Sequence, residues 1–310
     1  MSSLLHITNG DFFTQRLATL GLKGDVITWR EMLCEGKTLT TVGSETFWKT
    51  RFDFLHKNYK VSKSTFIEYT LKEYRSLCNH KKQDKIVLWF EYDLFCQINM
   101  LAVISWLKEH RKDAEISLIC SGKQDGTDRL YSLGELSHEQ LIDAYANRCT
   151  LSQDDIEYAD YIWQLYCSDN PIRLEHISDF DNYQFKYLSQ AVKTHLKRFP
   201  TIKNGLNDME NKMLNIAIAK KPKTKKEFLN AILKNQEFYG FGDIQYQRAI
   251  SRLKPLFSSF NPVRISKKGK EILAGQNNYY ASIRNNEVHL GGALKYNFLY
   301  NTASDRILKL

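Results

Sequence analysis

The segment Lys85-Ile-Val-Leu-Trp-Phe90 constrains this chain more than any other. Its apolar run leaves no polar face, so a strand built from it must be covered on both sides. That is the situation of an inner strand in a parallel sheet, with helices packed on each face. Glu91-Tyr92-Asp93 closes the run, and an apolar helix is predicted from about Leu94 to Glu109. Residues 3–9 and Asp25–Trp29 read as two earlier strands around a helix through Phe13 and Leu17. Residues 115–120 read as a fourth strand, ended by Ser121-Gly122. Trp48, Phe52, Leu55 and Tyr59 recur at helical spacing, and Thr65 with Glu68 predicts a capping box for the next helix. Ser137 with Gln140, and Ser152, open two more. Alternating strands and helices predict an α/β fold with a Rossmann-like parallel sheet.

Charge divides the chain. The net charge is +9 over 310 residues, yet residues 1–190 carry a balance of −5 and residues 191–275 one of +12. All five prolines lie at Pro171 or beyond. The length suffices for two cores. The predicted organisation is an α/β domain over 1–170, a helical linker over 171–205, and a basic domain over 206–310. Within the last, Asn207 with Glu210 and Thr224 with Glu227 predict two capped helices, and Asp243 is read as the cap of a third. A short strand, 262–265, and a helix capped by Ser266 follow, and strands are expected over 279–300. Three helices, a strand and a closing helix make a winged-helix-like order, which places its third helix in the DNA major groove.

No apolar run approaches the roughly 20 residues of a membrane helix, and the start of the chain lacks the features of a signal peptide. No membrane role is expected, and the expected location is cytoplasmic. The six cysteines show no C-x-x-C spacing and read as reduced thiols. His6, inside the first strand, reads as a hydrogen-bonded core histidine. No zinc-protease, hydrolase, P-loop or dinucleotide motif occurs.

Several segments taken together resemble a bacterial family catalogued as a domain of unknown function, number 1835 in that series. They are His6-Ile-Thr-Asn-Gly-Asp11, Gly24-Asp-Val-Ile-Thr-Trp-Arg-Glu31 and Val87-Leu-Trp-Phe-Glu-Tyr-Asp-Leu-Phe-Cys-Gln97, with Asn204-Gly-Leu206, Gly242-Asp243 and Leu290-Gly-Gly292 beyond them. Phe12 stands where the family usually has Ser, and Cys96 where Asp is common. The resemblance implies the two-part architecture and no particular activity.

In open α/β sheets, ligands bind at the carboxyl ends of the strands. Those ends supply Asp11, Glu31, Glu91 and Asp93 as candidate catalytic acids. Asp11, Glu91 and Asp93 form a candidate Mg²⁺ set, since that ion takes oxygen ligands and brings substrate phosphates. Asp11 and Asp93 also precede helices, where capping alone accounts for an Asp. Arg30, Arg51, Ser121 and Gly122 are candidate phosphate binders. On the basic part, Lys223, Lys225, Lys226, Lys267, Lys268 and Lys270 fall where phosphate contacts are expected, and Arg248 and Arg252 on the third helix where base or phosphate contacts are. Three functions stay open: a nucleic-acid-associated regulator binding DNA or RNA, whose α/β domain senses a ligand or partner; a metal-dependent enzyme on a phosphate-containing substrate; and a scaffold that docks a protein partner.

Overall fold

The computed structural model describes residues 4–80, 83–124, 126–179 and 182–310. Ser3, at the head of the first predicted strand, lies outside the described residues. The chain opens with β1 (Leu4–Asn9), α1 (Asp11–Ala18) and β2 (Asp25–Trp29). A two-residue strand, β3 (Gly36–Lys37), precedes α2 (Glu45–Tyr59), α3 (Lys63–Phe66) and α4 (Lys72–Asn79). Next come β4 (Lys85–Glu91), α5 (Leu94–His110) and β5 (Glu115–Ser121), followed by α6 (His138–Ala146) and β6 (Cys149–Thr150). Three helices, α7 (Gln153–Tyr166), α8 (Glu175–Ser178) and α9 (Leu188–Leu196), complete this part.

The protein is mixed α/β. Its main sheet has the order β2-β1-β4-β5-β6, with the first four strands parallel and β6 antiparallel at the edge. Residues 86–90 are all buried, as the unbroken apolar run requires. Ile86, Leu88 and Phe90 face one core, and Val87 and Trp89 face a smaller one beside α1. Every residue of α5 from Ile98 to Leu107 is buried, because the helix is sandwiched between the sheet and α7 and α9. His6 is a core histidine as expected. Its Nδ1 accepts from Trp89 Nε1 at 3.1 Å, and Nε2 donates to the Lys23 carbonyl at 3.1 Å. Between β1 and β4 the connections diverge to opposite sides, which makes their carboxyl ends the switch point of the sheet.

The second part begins with α10 (Asp208–Lys220), α11 (Lys225–Lys234) and α12 (Asp243–Arg252). It continues through β7 (Phe257–Phe260), β8 (Val263–Ile265), α13 (Lys267–Ala274) and α14 (Tyr280–Ile283). It ends in β9 (His289–Gly291), β10 (Ala293–Leu294), β11 (Phe298–Asn301) and β12 (Arg306–Lys309). Several local expectations need correction. The helix after α2 is capped by Ser62, not Thr65, and passes through a π turn at Ile67–Leu71. Gly242 occupies the cap position of α12, so Asp243 is its first residue. One predicted strand is a hairpin, β7 with β8, and residues 280–283 are helical.

The two parts share structure. β3 pairs in parallel with β9, and one hydrophobic core runs from Leu5 through to Ile307. Gly291 and Gly292 allow the β9–β10 turn to lie against the end of α7. A Cβ on Gly292 would sit 1.9 Å from the Cys167 carbonyl, and Gly291 has φ +65.

Candidate functional site

At the switch point the structure gathers Glu91, Asp93 and Cys96, whose ligand atoms all lie within 4.8 Å of one another. Asp93 caps α5, accepting from the Cys96 amide at 2.8 Å, and Glu91 accepts from the Leu133 amide at 2.8 Å. Asn9 Nδ2 donates to Cys96 Sγ at 3.0 Å. Ser121 pairs with Glu91 across the parallel ladder, so both side chains leave the same face. The Ser121 hydroxyl is buried and has no partner. Among the described residues neither Glu91 nor Asp93 forms a salt bridge, and no cation is among the causes of their raised pKa values. Burial first, then the Asp93 carboxylate, pushes Glu91 up to about 7. Burial pushes Asp93 up to about 6 against the amides that bond it. The second part of the chain covers this edge. The amides of Leu94 and Phe95 donate to the carbonyls of Phe238 and Tyr239, at 2.8 and 3.3 Å. Gly240, at φ +68, lies against the Asp93 carboxylate, where a Cβ would approach within 2.1 Å. What remains is an open cleft of about 420 Å³ between Glu91 and Asp93 on one wall and Lys234 and Glu237 on the other.

The other candidate acids are not brought to that cleft. Asp11 is in the first turn of α1, exposed, and paired with Arg30 at 2.7 Å. Arg30 also meets Glu73 at 3.1 Å and lies over Tyr69. Glu31 and Arg51 form a fully buried pair at 2.9 Å, and Arg51 further donates to the carbonyls of Met32, Glu35 and Lys37. Both arginines read as phosphate binders are thus consumed by internal acids. Ser121-Gly122 opens no helix. Gly122 lies against the Tyr187 ring, and the next amide, of Lys123, donates to the Tyr187 hydroxyl at 2.7 Å. Backbone amides for a phosphate are not presented there.

On the basic part, the lysines and the arginines separate. Lys223, Lys225, Lys226, Lys267, Lys268 and Lys270 are all exposed. The Val263 amide bonds the Pro222 carbonyl at 2.9 Å, which sets the turn before α11 beside the β7–β8 hairpin and its exposed Arg264. Lys267 reaches Glu271 at 4.0 Å, and Lys268 lies over the Tyr279 ring. Both α12 arginines are engaged by other residues, Arg248 half-buried and Arg252 exposed. Arg248 donates to the Asn58 backbone and side-chain oxygens and lies over the Tyr59 ring, 4.3 Å from its centroid. Arg252 donates to buried Glu210 at 2.6 Å. Arg248 thus ties the third helix of this part to α2, while Arg252 is ion-paired but remains exposed.

A second cleft, of about 310 Å³, opens where the two parts meet, and sequence reading missed it. Its walls hold Arg198, Arg248, Arg252 and Lys295. Lys295 is 4 % exposed and Arg198 6 %. These residues come from distant segments, so no spacing in the sequence announces them. A lysine in the mixed run Ala293-Leu-Lys-Tyr296 is the one local sign, since an inward lysine is costly without a partner.

No family model matches the chain, and no curated protein matches it. Among solved structures it is similar to the Plasmodium falciparum topoisomerase II DNA-binding, cleavage and re-ligation domain, at 13% identity and a TM-score of 0.49. The match covers 81% of this chain and 42% of that one, so the chain spans less than half the length of that structure. No helix of the described residues is long and apolar enough to cross a membrane.

Proposed function

We propose that this chain is a nucleic-acid-associated protein whose second part, a winged-helix-like unit, holds the phosphate backbone through lysines rather than reading bases through α12. One observation carries this. Lys223, Lys225, Lys226, Arg264, Lys268 and Lys270 are exposed and have no carboxylate partner among the described residues, whereas Arg248 and Arg252 are engaged by Asn58 and Glu210. A surface of unpaired cations attracts a polyanion of any sequence by releasing its counterions. Contacts of that kind position a duplex without specifying it. The test is a fluorescence anisotropy titration of the full chain against labelled duplex DNA at low and moderate salt. Binding that ignores sequence and falls steeply with salt supports this function; no binding at low salt sinks it.

A metal-dependent reaction at the acidic edge is the second reading, favoured by the meeting of Glu91, Asp93 and Cys96 with the unpartnered Ser121 hydroxyl beside them. Two carboxylates and a thiol suit Mn²⁺ or Zn²⁺ better than Mg²⁺, which prefers oxygen alone. Calorimetric titration with each ion checks it. The protein should bind one equivalent, and changing Glu91 and Asp93 together to Ala should abolish the heat. A flat titration with every ion at millimolar concentration leaves Asp93 as a helix cap and Glu91 as a loop anchor.

A further inference from the structure

The cleft between the two parts has more positive charge than its own acids can neutralise. Lys295 is buried, and its nearest carboxylate, Glu210, lies 3.9 Å away. Glu210 is already bound by Arg252 at 2.6 Å. Arg198 donates to the Cys34 carbonyl and lies 4.0 Å from Glu35, which the Tyr59 hydroxyl also engages. Arg248 bonds the two oxygens of Asn58 and meets no carboxylate among the described residues. Four cations thus face two acids, Glu35 and Glu210. At the rim, Lys57 and Glu287 pair with each other, and Lys37 and Asp53 add one charge of each sign. The surplus is two positive charges around an open cleft in which Lys295 and Arg198 are buried, Arg248 is half-buried and Arg252 is exposed. Burying charge without a partner is costly. The strain shows at Lys295, which burial, with Arg252 and Arg198, holds down to about 8 despite Glu210.

We propose that this cleft is a binding site for a small phosphomonoester, whose phosphoryl group sits among Arg198, Arg248, Arg252 and Lys295. A phosphomonoester carries roughly −1.5 to −2 at neutral pH, which matches the surplus where a single carboxylate would meet half of it. Guanidinium forks suit phosphoryl oxygens. The volume, about 310 Å³, is at the small end for ligand pockets and admits a molecule no larger than a mononucleotide. Asn285, exposed on the wall, offers a neutral amide for the rest of such a ligand. None of these residues belongs to the exposed lysine surface, so this site stands or falls separately from DNA binding.

The test uses the full chain at neutral pH, with adenosine 5′-monophosphate and inorganic phosphate as probes and adenosine as the uncharged control. Calorimetry should show one equivalent of the monophosphate bound, weaker binding of inorganic phosphate, and none of adenosine. Arg248→Ala should weaken the monophosphate by about tenfold or more, the usual loss for a charged hydrogen bond. Lys295→Met should do the same, and the triple change Lys267→Ala, Lys268→Ala, Lys270→Ala should leave it intact. Phosphorus NMR of the monophosphate with the unaltered protein gives a readout that needs no variant to fold; its line should broaden and shift. No shift and no heat at millimolar monophosphate would overturn the proposal. So would binding that survives Arg248→Ala but disappears in the triple lysine variant.

Discussion

Arg248 on α12 donates to both the backbone and the side-chain oxygen of Asn58 on α2. This contact ties the basic part of the chain to the α/β part by the helix that a winged-helix-like order would send into a groove. The guanidinium also covers Tyr59, whose hydroxyl reaches Glu35. Truncating Arg248 to Ala should therefore cost stability, by about 1–3 kcal/mol for a charged hydrogen-bond donor left out. Urea unfolding measures it. The same variant should bind duplex DNA as the unaltered protein does, since Arg248 is not on the exposed lysine surface.

Arg51 and Glu31 are expected to matter through folding. Both side chains are essentially without solvent exposure, and the Arg51 guanidinium is enclosed by Glu31 and three carbonyls. Arg51→Met strands an ionised Glu31 in the core, a change that costs roughly 3–5 kcal/mol. Pairing it with Glu31→Gln should recover part of that loss. Denaturant midpoints of the two variants decide the matter. A soluble Arg51→Met protein of unchanged stability would mean that the pair is not buried as described.

The sheet was legible in the sequence because each inner strand carries its burial in its own residues. Lys85–Phe90 has no polar face, Glu115–Ser121 stops at Gly122, and the edge strand Asp25–Trp29 starts after the Gly21–Gly24 turn. Most helix starts were legible for a similar reason: Ser137, Ser152, Asn207, Thr224 and Ser266 each accept from an amide three residues on. β3 was not legible, for two residues pairing with β9 near the far end of the chain leave no local pattern. Phe257-Ser-Ser-Phe260 was missed because its alternation is too short to separate from a loop. Among the candidate acids, the end of β4 brings Glu91 and Asp93 together beside Cys96. Asp11, Glu31, Arg30 and Arg51 looked equivalent to them, because ion pairing between residues far apart in sequence is invisible before folding. The same limit hid the cleft around Lys295.

Glu91 and Asp93 give a pH dependence of definite sign. Their folded pKa values are about 7 and about 6, above the ordinary 4.5 and 3.8. Across that interval the folded chain keeps protons that the unfolded chain has released. The unfolding free energy should therefore fall as pH rises from about 4 to about 7 and lose little more from this pair above that, with a total on the order of several kcal/mol. His6 and His195 act oppositely: their imidazoles are held neutral by burial, and their contribution is lost as pH falls below their ordinary value of 6.5. The difference between the unaltered protein and a Glu91→Gln, Asp93→Asn variant isolates the acids. Parallel stability curves for the two proteins would contradict the raised values.

The most direct measurement is the salt dependence of duplex DNA binding by three full-length proteins: unaltered, Arg248→Ala, and Lys267→Ala with Lys268→Ala and Lys270→Ala. Each phosphate neutralised contributes about −0.9 to the slope of log affinity against log salt. The lysine surface proposed above predicts a steep slope for the unaltered protein and for Arg248→Ala, the same for mixed sequences. It predicts weaker binding with a slope flatter by up to about 2.7 for the triple lysine variant. A slope near zero in all three, or a loss of binding confined to Arg248→Ala, would contradict it.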